Sequence, residues 1–235
     1  MLNNPITLSS DMDVELFQSM GDDTTAIMAA RVSTLNDTCE DTNLERFIDF
    51  LIRNRHMSPF EHSSFTFVAD VPIFVMRELM RHRTMSFNEQ SGRYVEMRPK
   101  FYLPSLRRPL VQHGAAGKYI FVEGSIEQHD MVELYHRDAA EQAWAAYQIM
   151  LDQGVAREVA RNVLPVSIYS KTYITVKTRN LMQFLSLRTS VTKDTLFPSY
   201  PLYEIAEMAA KMEASFKEKQ PITWAAWNKH GRVGL

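Results

Sequence analysis

Apolar side chains recur at three- and four-residue intervals in several stretches of the chain, which is the spacing of one helix face. Asp22–Ser33 predicts a helix start followed by a short helix. Thr42–Glu45 fits a capping box that opens a second helix, and His56–Pro59 end that helix. The spacing predicts further helices over Ser125–Gln153, over Val155–Val163, through Leu181, Phe184, Leu185 and Arg188, and from Leu202 to Phe216.

A different pattern, in which apolar and polar positions alternate, predicts a strand over Phe65–Val71. Pro72 then suits the first turn of a helix over Ile73–Arg83. Ser167–Val176 is rich in β-branched and aromatic residues and predicts a second strand, whereas Pro99–Gly124 is rich in proline and glycine and predicts loops. Because helices outnumber strands and do not alternate regularly with them, we predict the α+β class.

Length, charge and cysteine usage narrow the possible functions. With 235 residues and a net charge of -2, the chain fits a single domain over residues 1–235, and general nucleic-acid binding loses support. No apolar run approaches the length of a membrane span, and the first residues lack the pattern of a signal peptide. Cys39 is the one cysteine, which excludes a cysteine-rich zinc site. We therefore expect a cytoplasmic protein that has no membrane partner.

Candidate chemistry is concentrated in the polar stretch Arg81–Tyr94, RHRTMSFNEQSGRY. Glu78, Arg81 and His82 are predicted neighbours at the end of the Ile73–Arg83 helix, where basic residues could simply complement the helix dipole. An interaction with the helix dipole does not explain the hydrogen-bond donors and the Glu89 carboxylate that follow between Asn88 and Arg93. Arginine and serine donors suit phosphate oxygens, so the mixture favours a nucleotide, although no Rossmann or P-loop motif is present.

Ser91 raises the possibility of a nucleophile. The nucleophile elbow requires Gly-x-Ser-x-Gly, but Glu89 and Arg93 occupy the outer positions here. We therefore favour a hydroxyl that binds a ligand over a hydroxyl that attacks one.

Three arginines nearer the end of the chain form a second group of candidates. Arg157 and Arg161 lie one turn apart on a predicted helix, although Arg157 could simply pair with a neighbouring carboxylate. Arg188 shares a stripe with apolar residues, and a cation on a buried side is costly unless it meets an anion or a polar ligand. Arg188 is therefore the stronger functional candidate.

His56, Glu61 and His62 form a third polar cluster, HMSPFEH. These residue types can bind a metal, but their spacing matches no zinc pattern. We favour a loop that contacts a ligand or a partner, and we predict no metal.

Several motifs resemble the flavin-dependent thymidylate synthase (ThyX) family. Arg81-His82-Arg83, seven further residues and then Ser91 match the family's signature. The segments SPFEH, FTF, PIF, NEQSGRY, REVARNVLP and LMQFLSLR follow in the family's order. The resemblance covers the chain from about Ala29 to Arg188 and is poor over residues 100–124.

The resemblance implies a fold and a reaction. The ThyX-like fold has a mixed sheet with a larger helical component, and active sites lie between the subunits of a homotetramer. The implied reaction is reductive methylation of dUMP to dTMP. 5,10-Methylenetetrahydrofolate supplies the carbon, and FAD that NADPH has reduced supplies the hydride.

The family's site residues carry over onto matching positions of this chain. The implied FAD positions are Ser33, His56, Ser58, Glu61, Arg81, His82, Arg83, Glu89, Lys177, Arg179 and Gln183. The implied dUMP positions are Glu78, Leu79, Met80, Arg81, Glu89, Gln90, Ser91, Gly92, Arg93 and Arg161. Arg188 matches the arginine implied to favour ionisation of uracil N3. Lys177 and Gln183 replace an asparagine of some relatives, and Glu78 replaces a glutamine, so these contacts differ in charge and length.

The residues themselves bear on how a methyl group could reach uracil C5. One route adds a cysteine thiolate to C6, but Cys39 lies among Asp37, Glu40 and Asp41, whose carboxylates disfavour a thiolate. Hydride transfer to C6 or ionisation at N3 remains, and a fixed arginine would stabilise the developing anion.

Two alternatives stay open beside this reaction. The same fold could act on another pyrimidine nucleotide or form another one-carbon product. The chain could instead be a non-catalytic nucleotide- or RNA-binding module, which would bind nucleic acid in a salt-dependent manner and take up no flavin.

Overall fold

The computed structural model describes residues 5–34, 43–115, 119–189 and 195–234. The helices are α1 (Asp23–Arg31), α2 (Leu44–Arg53), α3 (Ile73–Leu79), α4 (Ile126–Asp152), α5 (Arg157–Ala160), α6 (Thr178–Arg188), α7 (Tyr203–Lys219) and α8 (Pro221–Lys229). The strands are β1 (Thr7–Ser9), β2 (Asp13–Met20), β3 (Ser64–Pro72), β4 (Ser86–Glu89), β5 (Lys100–Tyr102), β6 (Val111–His113), β7 (Ile120–Val122) and β8 (Tyr169–Lys177). This mixture, dominated by helices, confirms the α+β class.

The chain divides into two compact units. The first comprises residues 1–12, 70–77 and 89–172, and the second comprises residues 13–69, 78–88 and 173–235. One domain over residues 1–235 stays a prediction. None of the helices in the described ranges combines the length and the apolar character that crossing a bilayer requires.

The core of the first unit is built on α4. Phe101, Trp144 and Tyr147 are buried and pack with Met97 and Ile168. The Tyr147 hydroxyl accepts a hydrogen bond from the Met97 N–H at 3.2 Å. Because this core fixes Met97, it also restrains the backbone that leads from Glu89 to Met97.

The second unit contains most of a four-stranded sheet with the order β2–β3–β8–β4. Alternate residues of β3 are buried, as the sequence pattern predicted. Phe65 contacts Phe216 of α7 edge-on, with ring centres 6.0 Å apart, and Phe216 lies 6.2 Å from Trp227 of α8. Phe216 of α7 thus packs between β3 of the sheet and α8.

The predicted helix over Ile73–Arg83 is wrong in length, since α3 ends at Leu79. The N–H of His82 donates to the Leu79 carbonyl at 3.0 Å in a tight turn. The chain then enters strand β4, which the sequence pattern missed because β4 is short and alternates only between exposed and half-buried positions. Arg81 and His82 therefore do not share a helix face with Glu78.

Other boundaries also differ from the predictions. Asn43, rather than Thr42, caps α2 by accepting from the Arg46 N–H, and Thr42 lies outside the described residues. The predicted helix over Val155–Val163 is shortened to α5 and a 3₁₀ turn. Strands β5, β6 and β7 lie in the stretch predicted as loops, and β1, β2 and α8 were not predicted.

Candidate active site

A cavity in the first unit collects most of the predicted dUMP positions that this unit contains. Its volume is about 350 Å³. Glu89, Gln90, Ser91, Gly92 and Arg161 line it, together with the apolar side chains Ile73, Met97, Leu164 and Ile168. Polar groups at one wall and apolar groups at another suit a flat base that carries an anionic substituent.

The backbone around this cavity is shaped by close packing. The Gln90 N–H donates to the Lys171 carbonyl at 2.8 Å, which fixes the chain as β4 ends. A methyl group on the buried Gly92 would lie 3.0 Å from the Met97 sulfur and 3.1 Å from Arg161 Cδ. Because glycine has no Cβ, it leaves room for the Arg161 side chain to lie against the backbone of residue 92.

The Ser91 hydroxyl is engaged in local structure. Ser91 Oγ accepts from the Arg93 N–H at 3.3 Å, and the Ser91 carbonyl accepts from the Tyr94 N–H at 3.0 Å. Within the described ranges, no histidine, lysine or carboxylate is bonded to Ser91 Oγ, so this arrangement has no general base for a nucleophile.

Two arginines beside the cavity are paired with carboxylates. Arg93 Nε donates to Glu158 at 2.9 Å, and both side chains are about half exposed. Arg157 lies 3.8 Å from Glu96, so its partner is a neighbour other than Glu158. Arg161 is the arginine of this group that lines the cavity.

In the second unit, Glu78, His82 and Arg188 meet around the Arg188 guanidinium. Arg188 Nε donates to His82 Nε2 at 3.1 Å, and Arg188 Nη1 lies 3.1 Å from Glu78. Burial, and then the charge of Arg188, lower the pKa of His82 to about 4. The His82 ring also meets Phe184 edge-on at 4.9 Å. Neutral His82 can therefore accept from Arg188 and direct its side chain.

The remaining residues of this segment differ in exposure. Arg81 and Arg83 are exposed on the turn that follows α3. The Leu79 side chain is fully buried, so a dUMP contact there could come only from its backbone, whereas Met80 is 39% exposed.

Three predicted FAD positions form a charged cluster at the start of α6. Arg179 lies 2.5 Å from Glu61, and Lys177 lies 3.4 Å from the other oxygen of the same carboxylate. Hydrogen bonds from Arg179, and then from Lys177, lower the pKa of Glu61. The Thr178 N–H donates to the Ser63 carbonyl at 3.0 Å, which holds the start of α6 beside the Ser58–Glu61 turn.

Three other predicted FAD positions line a second cavity of about 550 Å³, which lies wholly in the second unit. These are Ser33, His56 and Ser58. Arg31 and His62 also line it, and sequence reasoning did not select either for the flavin. His62 belongs to the segment SPFEH, which resembles the family, and Arg31 lies where the resemblance begins, at about Ala29, so their positions were an available signal.

The remaining sequence predictions concern a metal site, Cys39 and Gln183. In the described ranges, no three histidine, cysteine, aspartate or glutamate side chains come together as a set of metal ligands. Cys39 lies outside the described residues. Gln183 is half-buried on α6, beside Gly234.

Comparison with known proteins gives one consistent family. Residues 15–222 match the sequence model described as "Thymidylate synthase complementing protein" (Thy1). A "Flavin-dependent thymidylate synthase" of Streptomyces coelicolor is 50% identical over 97% of this chain and 95% of the relative, and one of Tropheryma whipplei is 44% identical over 98% and 97%. The crystal structure of "a UMP/dUMP methylase PolB from Streptomyces cacaoi bound with 5-Br dUMP" superposes with a TM-score of 0.92, at 46% identity and 98% coverage of this chain.

The motifs that predicted this family therefore coincide with an independent match over nearly the whole chain. The predicted family is confirmed: the chain belongs to the thymidylate synthase complementing protein family, that of the flavin-dependent thymidylate synthases.

Proposed function

We propose that this protein methylates dUMP to dTMP, with 5,10-methylenetetrahydrofolate as carbon donor, FAD as cofactor and NADPH as reductant. The observation that carries the proposal is the similarity, at a TM-score of 0.92, to a methylase whose structure holds 5-Br dUMP. The cavity that Glu89–Gly92 and Arg161 line supports it, since its size and polar wall suit a nucleotide.

In this proposal the first unit binds and orients dUMP. Arg161 supplies a fixed cation for the phosphate, and Ser91 supplies a hydroxyl donor. Glu89 and Gln90 supply acceptor oxygens and an amide that can meet the sugar and the base edge. The Gly92 backbone allows close approach, so the nucleotide is held by shape as well as by charge.

Arg188 stabilises negative charge that develops on uracil N3. The described residues engage Nε and Nη1, so Nη2 is the part of the guanidinium that would meet the pyrimidine. Because His82 stays neutral near pH 7, it places no second positive charge beside Arg188, whose guanidinium pairs with the Glu78 carboxylate through Nη1 and keeps Nη2 for the substrate.

The second unit has features that fit a flavin nucleotide. Its 550 Å³ cavity combines Phe47 and Phe50 with the hydroxyls of Ser33 and Ser58, and Lys177 and Arg179 add cations nearby. Aromatic faces suit a flavin or adenine ring, and cations and hydroxyls suit a pyrophosphate. The FAD positions given above would hold the cofactor, which supplies the two-electron redox chemistry when bound.

We also propose that the protein is a homotetramer in the cytoplasm. Met131, Leu134 and Tyr135 of α4 are 51%, 60% and 63% exposed, and apolar surface of this kind is typical of a subunit interface. Light scattering should give the mass of four 27.2 kDa chains, and a monomeric mass would contradict the proposal.

A second candidate function is methylation of UMP. It is favoured by the similarity to PolB, a UMP/dUMP methylase, and by a second PolB structure with 5-Br UMP, also at 46% identity. The two candidates differ only in whether the site accepts a ribose 2′-hydroxyl.

One experiment separates these functions. The purified protein is incubated with FAD, NADPH and 5,10-methylenetetrahydrofolate, together with dUMP, UMP or dCMP, and the products are identified by mass spectrometry. Formation of dTMP with oxidation of NADPH supports the leading proposal, whereas preferred methylation of UMP supports the second. A colourless protein that takes up no FAD but binds RNA would favour the non-catalytic module.

A further inference from the structure

Arg232 is a buried cation to which the proposed reaction assigns no role. Its side chain is 5% exposed, and it lies beyond residues 15–222 that match the family. Its two terminal nitrogens donate to the two oxygens of Glu213 at 2.7 and 2.6 Å, and its guanidinium lies 4.3 Å from the ring centre of Trp227. Two-pronged pairing and stacking hold the plane of the guanidinium in one orientation.

The same guanidinium reaches the end of α6. Arg232 Nη2 donates to Thr189 Oγ1 at 3.0 Å, and Thr189 Oγ1 donates to the Leu185 carbonyl at 2.6 Å. The Thr189 N–H donates to that carbonyl as well, at 3.0 Å. Because Thr189 follows Arg188 directly, these bonds fix the backbone from which the Arg188 side chain departs.

Neighbouring residues seat this segment against α6. Gly234 packs so closely on Gln183 and Ser186 that a side-chain carbon there would clash with both. Arg232 itself has a φ of 53°, a left-handed conformation that is costly for a residue other than glycine. The bonds to Glu213, Asn228 and Thr189 compensate for that conformation and hold it.

We infer that Arg232 is a positioning residue for Arg188, because it fixes the last turn of α6 through Thr189. With that turn fixed, Arg188 can meet His82 and Glu78 at once. The inference rests on the proposed role of Arg188 in methylation. Misplacing a reacting group by about 1 Å can slow a reaction by up to about a hundredfold, so even a partial loosening should be measurable.

Thr189→Val tests the inference in the full-length holoenzyme, because it removes the hydroxyl and keeps the volume. We expect kcat for dTMP formation to fall about tenfold, with the KM for dUMP within about twofold of wild type. Thr189→Ser, which keeps the hydroxyl, should restore kcat. Arg232→Lys, which loses the planar fork, should lower kcat as Thr189→Val does.

Trp224→Phe is the matched control. Trp224 Nε1 donates to the same Glu213 carboxylate at 2.9 Å, but it does not touch the contact between Arg232 and Thr189. We expect wild-type kcat in this variant. A loss as large as that of Thr189→Val would show that disturbing Glu213 is sufficient and would overturn the specific role of Arg232.

A second readout does not depend on activity. The ring protons of His82, assigned with a His82→Gln variant, are titrated by NMR. The charge of Arg188 contributes to the lowered pKa of His82, so displacing Arg188 should raise that pKa in Thr189→Val and leave it unchanged in Trp224→Phe.

The outcomes distinguish the two proposals. An unchanged His82 pKa in Thr189→Val overturns the positioning role, whatever the activity. A raised pKa with wild-type kcat overturns the link to catalysis. If the wild-type protein forms no dTMP, the proposed function fails, while the titration still decides whether Arg232 positions Arg188.

Discussion

The Glu89–Gly92 segment in the first unit and the Arg188 cluster in the second unit are held by different forces. The segment keeps its shape because Gly92 packs so close to Met97, a residue of the buried core, that even a methyl group on Gly92 would be crowded. Arg188 keeps its place because a carboxylate and a neutral imidazole accept its N–H donors.

This difference predicts different consequences of mutation. A segment held by packing should bind its ligand with little rearrangement, so changes there should affect affinity for dUMP. A guanidinium held by polar partners can redirect a donor when charge develops, so changes there should affect the rate.

Arg188→Ala should lower kcat for dTMP formation by about a hundredfold or more, because it removes the cation proposed to stabilise the N3 anion. Flavin absorbance should be retained, which is checked on the same preparation. Arg157→Ala is the control, since Arg157 pairs only loosely with Glu96 at 3.8 Å and is about half exposed. Near-normal turnover of Arg188→Ala would refute its proposed role.

Arg161→Ala should weaken dUMP binding by about tenfold or more, because a charge-assisted contact contributes about 1.5–3 kcal/mol. Isothermal titration with dUMP measures the change. Arg137→Ala on α4, where Arg137 pairs with Glu133 on an exposed helix face, should bind dUMP as the wild type does. If Arg161→Ala lowered kcat and left the affinity for dUMP intact, the first-unit site could not be assigned to binding and the Arg188 cluster to rate.

Ser91→Ala should retain measurable turnover and lose only a fewfold in dUMP affinity, because one neutral hydrogen bond contributes about 1 kcal/mol. Steady-state kinetics with dUMP check this, and Ser9→Ala provides a matched control, since Ser9 Oγ likewise accepts from the N–H two residues further on, that of Asp11. Complete loss of turnover with intact dUMP binding would restore the nucleophile hypothesis.

Acid should destabilise the protein through His82. The folded protein holds the pKa of His82 at about 4, whereas the unfolded chain takes up the proton near the ordinary value of 6.5. The contribution of His82 to stability is therefore full above about pH 6.5 and is lost as the pH falls towards 4. Urea unfolding at pH 7 and pH 5 should show a smaller acid-induced loss for His82→Gln, and equal losses would contradict this prediction.

Much of the candidate site followed from local sequence. The polar stretch NEQSGRY grouped Glu89, Gln90, Ser91 and Gly92 as candidate nucleotide contacts, and these residues line one cavity. The apolar stripe of α6 predicted correctly that Arg188 lies on a mostly buried side, where its side chain is 20% exposed. These features are local because they depend on spacing along one element.

Features that join distant segments could not be predicted in this way. The sequence suggested that Glu78, Arg81 and His82 would meet on one helix face, but α3 ends at Leu79. Glu78 and His82 instead share Arg188, which comes from another helix. Helical periodicity cannot specify where a short helix ends when the following residues are more stable as a strand of a sheet than as further helix.

Periodicity and motif order are properties of neighbouring residues, so they were enough to specify the α+β class, the family and the residue types of both clusters. Only the folded chain brings Lys177 and Arg179 together at Glu61, passes Arg161 close to Gly92, and lets Arg232 reach Thr189. Those contacts depend on the close packing of segments far apart in the chain. Packing selects among many possible charge partners according to which of them the core brings within hydrogen-bond distance.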